Sequence, residues 1–362
     1  MEDFVLASLQ LYLIGAPRAG KSAVFDALTN TPQGPSFMTK SGHRLGTVKV
    51  PDRRLEALRD MFKPKKYTPA EVTFVDVAIP AAAETGHSFS QLNAFLGDAD
   101  AFALVVQAFG EFDYAGQPLD PVRQFENLLL ELAMADLEKI ERRLEKIGQE
   151  LKRGLKGNEQ EKVVLDKCKV QLEAGKYLRD LGLSADEEKR ISSFCFLSQK
   201  RILAIANVSE NRLDGSGLEA LRDAVSKAGT ELMIFCASLE AEIASLDAAA
   251  QADFLKDYGL TEPARARLIL GSYRILDLIS FFTVGEDEVR AWTIRRGTPA
   301  QAAAGKIHSD IERGFIRAET VFCDDLLSTG SLAGCREKGT FRLEGKGYEV
   351  KDGDVIDFRF NA

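Results

Sequence analysis

Eight residues near the start of the chain, Gly15-Ala-Pro-Arg-Ala-Gly-Lys-Ser22, have the types and spacing needed to hold a phosphate chain. The two glycines allow a tight turn that brings successive backbone N–H groups against phosphate oxygens. Lys21 adds a point charge for the β- and γ-phosphates, and Ser22 adds a hydroxyl for Mg²⁺. This spacing is that of a P-loop and predicts a nucleotide site.

The segments on either side of the loop are those that a P-loop needs. Apolar residues over 9–14 predict a buried strand that enters the loop. Residues 22–28 predict the helix that leaves it, with Val24 and Phe25 on one face, so the positive end of the helix dipole would face the phosphates. The alternative is a glycine-rich strand–helix turn that holds no ligand.

Metal ligands are expected after the next strand and in the loop before it. Residues 71–76 alternate as a strand that ends in Asp76, and in P-loop enzymes an Asp at this place holds Mg²⁺, usually through water. Residues 31–51 predict a long loop beside the nucleotide, in which Thr39 is a second hydroxyl ligand or an ordinary loop threonine. The predicted metal ligands are therefore Ser22, Thr39 and Asp76.

Composition limits the class of protein. The chain has 362 residues, 45% hydrophobic and 28% charged, which predicts a water-soluble globular protein of two or three domains. A net charge of −8 argues against adhesion of the whole chain to nucleic acid, so DNA is not an expected partner. The five cysteines have no metal-site spacing, no signal peptide begins the chain, and no apolar run is long enough for a membrane. We expect a cytoplasmic protein.

The middle of the chain changes from sheet to helix and back. The apolar run over 101–109 predicts a central parallel strand, and from residue 121 apolar residues recur every three or four positions among mixed charges. A second helical stretch over 159–177 follows a glycine break, which predicts a helical hairpin. Because apolar strands resume at 201–207 and 233–238, the hairpin is expected to be an insertion. The seam of its first helix consists of Leu137, Ile140, Leu144, Ile147 and Leu151.

After a helical run over 263–279, short strands with turn signals predict a separate α+β module of about 80 residues. One helical stretch, 300–311, lies among them. The predicted strands are 281–284, 289–294, 316–321, 341–344, 348–350 and 355–360.

Longer motifs resemble the YchF or Obg-like ATPase family. Residues 205–210, Ile-Ala-Asn-Val-Ser-Glu, are similar to its Asn-x-x-Glu motif, and residues 236–241, Cys-Ala-Ser-Leu-Glu-Ala, to its base-contacting loop. Residues 288–293, 304–308, 312–318 and 350–355 are similar to its C-terminal module. The resemblance implies an α/β P-loop NTPase with a mostly parallel sheet, an inserted α-helical hairpin and a C-terminal α+β β-grasp domain, called TGS. The implied domain ranges are 1–120 and 199–278 for the nucleotide-binding domain, 121–198 for the hairpin and 279–362 for TGS.

The resemblance also implies a base preference. The family's Asn-x-x-Glu replaces the Asn-Lys-x-Asp that reads guanine, and here Asn207 can pair with N7 and the 6-amino group of adenine. Glu210 stands where a guanine reader has Asp, and Val208 where it has Lys, so ATP is expected over GTP. The alternative is that Asn207 only ties loops together. The predicted nucleotide-binding residues are Gly15, Pro17, Arg18, Ala19, Gly20, Lys21, Ser22, Ala23, Asn207, Val208, Glu210 and Ser238.

Departures from the family pattern fall around the γ-phosphate. Ile79 and Pro80 stand where Gly and Leu are usual, and an isoleucine side chain obstructs the approach of its N–H to phosphate. No Gln follows Asp76, so the catalytic candidates are Lys21 and, as a weaker one, His87. Arg18 stands where relatives have an Asn associated with K⁺. It either replaces that ion or points to solvent.

Three function classes follow, with Mg²⁺ and ATP or ADP as the expected ligands. The first is a slow ATPase coupled to binding of the ribosome or ribosomal RNA. The second is a nucleotide-binding scaffold that binds the same partner and hydrolyses little. The third is a protein that mainly binds RNA or the ribosome through the hairpin and the TGS module. The oligomeric state is left open.

Overall fold

The strands form two sheets in the computed structural model, which describes residues 9–29, 37–38, 42–77, 95–154 and 158–361. These residues divide into two compact units. The first unit contains Gln10–Gly46 and Phe74–Arg265, and the second contains Leu9, Thr47–Thr73 and residues 266–361. The domain boundaries predicted from the sequence stay a prediction.

The described residues form thirteen strands and thirteen α-helices. The strands are β1 (Gln10–Gly15), β2 (Phe37–Met38), β3 (Arg44–Lys49), β4 (Lys66–Thr68), β5 (Glu71–Asp76), β6 (Ala101–Ala108), β7 (Arg201–Val208), β8 (Leu232–Phe235), β9 (Leu278–Thr283), β10 (Glu288–Arg295), β11 (Phe315–Phe322), β12 (Arg342–Glu344) and β13 (Asp354–Phe360). The α-helices are α1 (Lys21–Thr29), α2 (Arg53–Phe62), α3 (Pro121–Lys152), α4 (Glu159–Glu173), α5 (Ala185–Ile191), α6 (Glu219–Lys227), α7 (Ala237–Ser245), α8 (Ala248–Asp257), α9 (Ala264–Ile275), α10 (Ala300–Ile307), α11 (Ser309–Arg313), α12 (Cys323–Thr329) and α13 (Leu332–Glu337).

The first sheet has the order β2-β3-β5-β1-β6-β7-β8. Strand β6 runs parallel to β1 and β7, and β7 runs parallel to β8. All eight residues of β6 are buried, as the continuous apolar run predicts for a strand covered on both faces. The register pairs Gly15 with Val105 and Asn207 with Phe235, so the loops that follow these strands leave from one edge of the sheet.

The helical hairpin is formed by α3 and α4. Its core contains Ile140 and Ile147 from the predicted seam, packed with Val164 and Leu165 of α4. The second helix ends at Glu173, before residue 177, because Gly175 follows in the left-handed conformation. Charged residues interrupt the apolar stripe of α3, and within the described residues no helix is long and apolar enough to cross a membrane.

The second sheet has the order β12-β11-β13-β9-β10-β4. Five of the six strands predicted in this module are present with small shifts of their ends. Residues 348–350 are the exception: Glu349 makes only an isolated bridge to Pro299, with backbone hydrogen bonds on either side of it. The prediction of a single helix is wrong, since α12 and α13 are also present. Both are of seven residues or fewer, too short for a helical period to emerge in the sequence.

Three strands occur where the sequence indicated none. Residues 37–38 and 44–49, predicted as part of a loop, form β2 and β3. Strand β4 extends the second sheet by pairing in parallel with β10. Strand β4 has three residues, and its partner Glu288 lies far along the chain from Lys66, so no local pattern signals it. The strand predicted over 233–238 ends at Phe235 because α7 begins at Ala237.

Candidate nucleotide-binding site

The predicted P-loop lies between the end of β1 and the first turn of α1. Ala19 N–H donates to the Ala16 carbonyl at 3.2 Å, which closes a turn, and the Val24 N–H donates to the Gly20 carbonyl at 2.9 Å, which begins the helix. The first-turn N–H groups of a helix have no partner within the helix, so they are available to phosphate oxygens. The loop surrounds a cleft of about 320 Å³ lined by Gly15, Ala16, Pro17, Arg18, Gly20, Lys21, Ser22 and Ala23.

The two P-loop glycines are required by the packing around them. A Cβ at Gly15 would lie 2.5 Å from the Val105 carbonyl oxygen of the neighbouring strand. Gly20 has a φ of +83°, and a Cβ there would lie 2.1 Å from Asn207 Nδ2. Any larger residue at Gly20 would therefore meet both backbone strain and a clash.

Arg18 also has a positive φ, 59°, and its side chain is exposed at the rim of the cleft. This conformation costs about 1 kcal/mol or more for a residue other than Gly, Asn or Asp. The described residues include no ion-pair partner of its guanidinium. Arg18 is thus held in a strained backbone with its charge free to meet a ligand.

Lys21 is at the centre of the site's electrostatics. Its ammonium group donates to the Val77 carbonyl and forms an ion pair with Asp76 Oδ1 at 3.4 Å. Burial lowers the pKa of Lys21, and the neighbouring Asp76 carboxylate opposes that shift. These contacts occupy the cation that the sequence assigns to the phosphates, so nucleotide binding must compete with them.

Asp76, the predicted metal carboxylate, is 6% exposed at the end of β5. Its Oδ2 accepts hydrogen bonds from Arg44, whereas its buried Oδ1 accepts none within the described residues. The Lys21 ammonium, 3.4 Å from Oδ1, offsets the cost of burying this oxygen without a hydrogen bond, and a metal ion in its place would do the same. The exposed Ser22 lies in the first turn of α1.

These two groups fit an ion that binds mainly to phosphate and water. Mg²⁺ in such sites takes few protein ligands. The described part of the chain has no group of three or more His, Cys, Asp or Glu residues placed to hold a metal ion. Thr39 and His87, predicted as a metal ligand and a catalytic candidate, lie outside the described residues, as do Ile79 and Pro80.

Asn207 joins two loops of the predicted site. Its Nδ2 donates to the Ala19 carbonyl at 3.1 Å, and its Oδ1 accepts from the Ala237 N–H at 3.2 Å. The side chain is 4% exposed. Asn207 therefore does tie loops together. Because an amide nitrogen has two N–H groups and an amide oxygen two lone pairs, this leaves one donor and one acceptor for a base.

The other predicted base-site residues lie around Asn207. Val208 is buried at the end of β7, and Glu210 is exposed in the following turn, where the Tyr258 hydroxyl donates to it at 3.4 Å. Ser238 is exposed in the first turn of α7, with its Oγ 3.3 Å from Cys236 Sγ. The structure thus brings the P-loop and the 207–210 and 236–238 segments to one edge of the sheet.

Two residues at this edge were missed from the sequence. Arg44, in β3, contacts both Asp76 and the carbonyl of Ser22. Glu240 is 2% exposed and accepts from the N–H groups of Ala264 and Arg265, so it caps the first turn of α9. The sequence does carry a signal for Glu240, a charged residue on the apolar face of a helix, but Arg44 depends on the register of β3.

Similarity to known proteins extends over the whole chain. Residues 278–361 match the family model YchF-GTPase_C, described as a protein of unknown function (DUF933). The chain is 39% identical over 363 residues to the ribosome-binding ATPase YchF of Bacillus subtilis strain 168, in a match that covers 97% of this chain and 98% of that protein. It is 38% identical over 357 residues to the ribosome-binding ATPase YchF of Escherichia coli O157:H7, with the same coverage.

A solved structure is similar in fold as well as in sequence. The YchF GTPase of Schizosaccharomyces pombe superposes with a TM-score of 0.85 at 28% identity, covering 97% of this chain and 98% of that one. The fold class expected from the sequence is thereby confirmed as a P-loop α/β unit followed by a C-terminal domain.

Proposed function

Because the chain belongs to the YchF family, we propose that it binds ATP in preference to GTP, hydrolyses it slowly, and couples that cycle to the ribosome or ribosomal RNA. The observation that carries the proposal is the Asn207 side chain, which fixes the base-reading segments directly onto the P-loop at Ala19. Relatives that match nearly the full chain are named ribosome-binding ATPases, which supports both the reaction and the partner.

The preference for adenine rests on the groups left for the base. A guanine reader presents a carboxylate to the ring N–H and 2-amino donors, which adenine lacks. Here the corresponding residue, Glu210, is exposed and contacts the Tyr258 hydroxyl, so it is not committed to the base. Asn207 keeps a donor for N7 and an acceptor for the 6-amino group.

Magnesium is proposed as the ion bound with the nucleotide. Ser22 would contribute its hydroxyl, and Asp76 its buried Oδ1, which accepts no hydrogen bond within the described residues. The ion would neutralise phosphate charge during phosphoryl transfer. Lys21 would exchange its contacts with Val77 and Asp76 for the phosphates. Since catalysis of this kind is mainly positioning and charge stabilisation, Lys21 is the side chain with the clearest catalytic role.

A scaffold that hydrolyses little is the second candidate. Ile79 stands where the family pattern has the glycine whose N–H approaches the γ-phosphate, and Pro80 restricts its backbone further. Both candidates predict tight nucleotide binding, but only the first predicts turnover.

We also infer that the C-terminal domain is of the TGS type, that the α3–α4 hairpin is a coiled coil inserted in the nucleotide-binding domain, and that the protein acts in the cytoplasm, where ribosomes are. Five of the six strands predicted for the module are present in its sheet. The seam of α3 packs on α4 through Ile140 and Ile147.

Calorimetric titration with ATP and with GTP, both with Mg²⁺, tests the base preference. We expect ATP to bind at least about tenfold more tightly than GTP, because GTP would leave a buried polar group of the site unpaired. Glu210→Asp should move the preference partway towards GTP. Equal affinity of the parent protein for both nucleotides would contradict the proposal.

A further inference from the structure

Arg44 bridges two acidic residues, Asp26 of α1 and Asp76 at the end of β5. Its Nη1 donates to Asp26 Oδ1 at 2.8 Å, and its Nη2 and Nε donate to Asp76 Oδ2 at 2.9 and 3.2 Å. Nη2 also reaches the Ser22 carbonyl at 3.4 Å, and the guanidinium carbon lies 4.6 Å from the centre of the Phe25 ring. The side chain is 26% exposed, so these contacts are partly shielded from water.

The contacts of Arg44 on Asp76 are one-sided. Both hydrogen bonds go to Oδ2, and the opposite oxygen, Oδ1, is buried without a donor within the described residues. Lys21 forms an ion pair with that oxygen at 3.4 Å without a hydrogen bond. We propose that Arg44 is a positioning residue for the metal site, because it clamps Asp76 through Oδ2 and leaves Oδ1 for the magnesium ion that accompanies the nucleotide. This inference rests on the proposed function.

The shape of the arginine side chain explains why it suits this role. A guanidinium is planar and offers five donors in a fixed fork, so it can hold Asp26, Asp76 and the Ser22 carbonyl at once. An ammonium group has three donors at one point and would not span both carboxylates with the same geometry. Groups that hold a metal ligand from behind fix its orientation, and losing one typically weakens metal binding by about 10- to 100-fold.

The ion pairs of Arg44 indicate that it positions Asp76 and does not bind phosphate directly. Lys21 and Arg44 offset Asp26 and Asp76, which are the four charges joined by ion pairs here. Arg44 is held by two carboxylates and the Phe25 ring and does not line the cleft, whereas Lys21 does, so Lys21 is the cation expected to exchange its contacts for the phosphates. Its loss should therefore weaken the effect of magnesium more than it weakens binding of the nucleotide itself.

The test compares ADP affinity with and without magnesium. Calorimetric titrations with ADP in EDTA and in excess Mg²⁺ give, for each variant, the factor by which the ion strengthens binding. We expect Arg44→Gln to reduce that factor by about tenfold or more, while its affinity in EDTA stays within about threefold of the parent. Arg44→Lys keeps the charge, so its magnesium factor should lie between those of the parent and Arg44→Gln. This second variant also keeps the inference testable if Arg44→Gln does not fold.

Asp26→Asn is the matched control. It removes one partner of Arg44 but leaves the hydrogen bonds to Asp76, so the magnesium factor should stay within about threefold of the parent. An unchanged factor in both Arg44 variants would overturn the inference while leaving the proposed function intact, and so would an equal loss in Asp26→Asn and Arg44→Gln. A parent protein that binds ADP with no effect of magnesium would overturn the inference together with the magnesium part of the proposed function.

Discussion

Lys21 has two partners in the structure, the Val77 carbonyl and the Asp76 carboxylate. Burial lowers its pKa, while Asp76 favours the charged form. The same ammonium group is the P-loop cation expected to contact the β- and γ-phosphates. We therefore expect nucleotide binding to exchange these contacts for stronger ones with the negatively charged phosphates.

Lys21→Ala should abolish measurable nucleotide binding, because it removes the cation on which the phosphate chain depends. The fold should persist, since Asp76 keeps its hydrogen bonds to Arg44. Calorimetric titration with ADP checks this, with Lys65→Ala, an 80% exposed lysine of the second unit, as the control. Unchanged affinity in Lys21→Ala would end the P-loop assignment.

The strained backbone at Arg18 leads to a second prediction at this scale. The Arg18 side chain is exposed at the rim of the cleft. The φ angle of Arg18, 59°, is unfavourable for arginine. We expect this fixed charge to replace a monovalent cation beside the phosphates, so ATP turnover should be the same in KCl and NaCl at equal ionic strength.

The informative variant for that prediction is Arg18→Asn, because Asn tolerates a positive φ and so changes the charge without adding backbone strain. It should turn over more slowly than the parent or acquire a response to K⁺. Clear stimulation of the ATP turnover of the parent protein by K⁺ would contradict the prediction that Arg18 replaces the ion. So would an Arg18→Asn variant with the rate and ATP affinity of the parent.

Residues of the site could be predicted where their signal is local. The P-loop is read from eight consecutive residues, and Asp76 from its place at the end of a strand. Arg44 could not be predicted, because its role depends on how β3 lies against α1 and the end of β5. The loop-tying role of Asn207 was left open by the sequence and became visible only in its hydrogen bonds to two separate loops.

At the scale of elements, α3 is joined to the segment that returns the chain to the sheet by one buried carboxylate. Asp136 is fully buried and accepts three hydrogen bonds, from the Leu197 N–H at 2.8 Å and from the Ser198 N–H and hydroxyl at 2.7 and 2.6 Å. Burial raises the pKa of Asp136 to about 6, although these hydrogen bonds and Lys139 oppose the shift. The hairpin is thereby tied to the residues just before β7, the strand that carries Asn207.

The raised pKa of Asp136 gives a pH dependence with a definite sign. Its folded-state pKa of about 6 lies above the value of 3.8 that is ordinary for an aspartate, so its contribution to stability is present below pH 4 and is lost as the pH rises through 6. Asp136→Asn does not titrate. The free energy of unfolding of the parent, relative to that of Asp136→Asn, should therefore fall by about 2 kcal/mol between pH 4 and pH 7.

Urea unfolding of both proteins at these two pH values measures that difference. A difference that grows with pH would mean that the three hydrogen bonds outweigh burial and that the carboxylate is the favoured form. Lys139→Gln is a useful companion, because Lys139 is the charged group that counteracts the burial of Asp136.

Long elements were predicted better than short ones, for a physical reason. Strand β6 and helix α3 each have many buried apolar residues, which give a clear pattern in the sequence. Both were predicted close to their observed limits. Helices α12 and α13 and strand β4 have few residues each, and tertiary pairing decides their conformation. The same holds for residues 348–350, which bond to the segment before α10 without forming a strand.

At the scale of the whole molecule, each compact unit is assembled from stretches that are not consecutive in the chain. Residues 47–73 belong to the same unit as residues 266–361, because β4 pairs with β10 in the second sheet. A three-residue strand whose partner lies more than half the chain away leaves no periodic pattern in the sequence, so this arrangement could not be predicted. The described residues of the candidate nucleotide site, the P-loop, Asp76 and Asn207, belong to the other unit.

The central claim is that this chain is an ATPase whose cycle is coupled to the ribosome, and steady-state ATP turnover with and without purified ribosomes tests it most directly. We predict slow hydrolysis of ATP that exceeds hydrolysis of GTP, changes when ribosomes are added, and is lost in Lys21→Ala. ATP turnover no greater than that of Lys21→Ala, both with and without ribosomes, would contradict the claim.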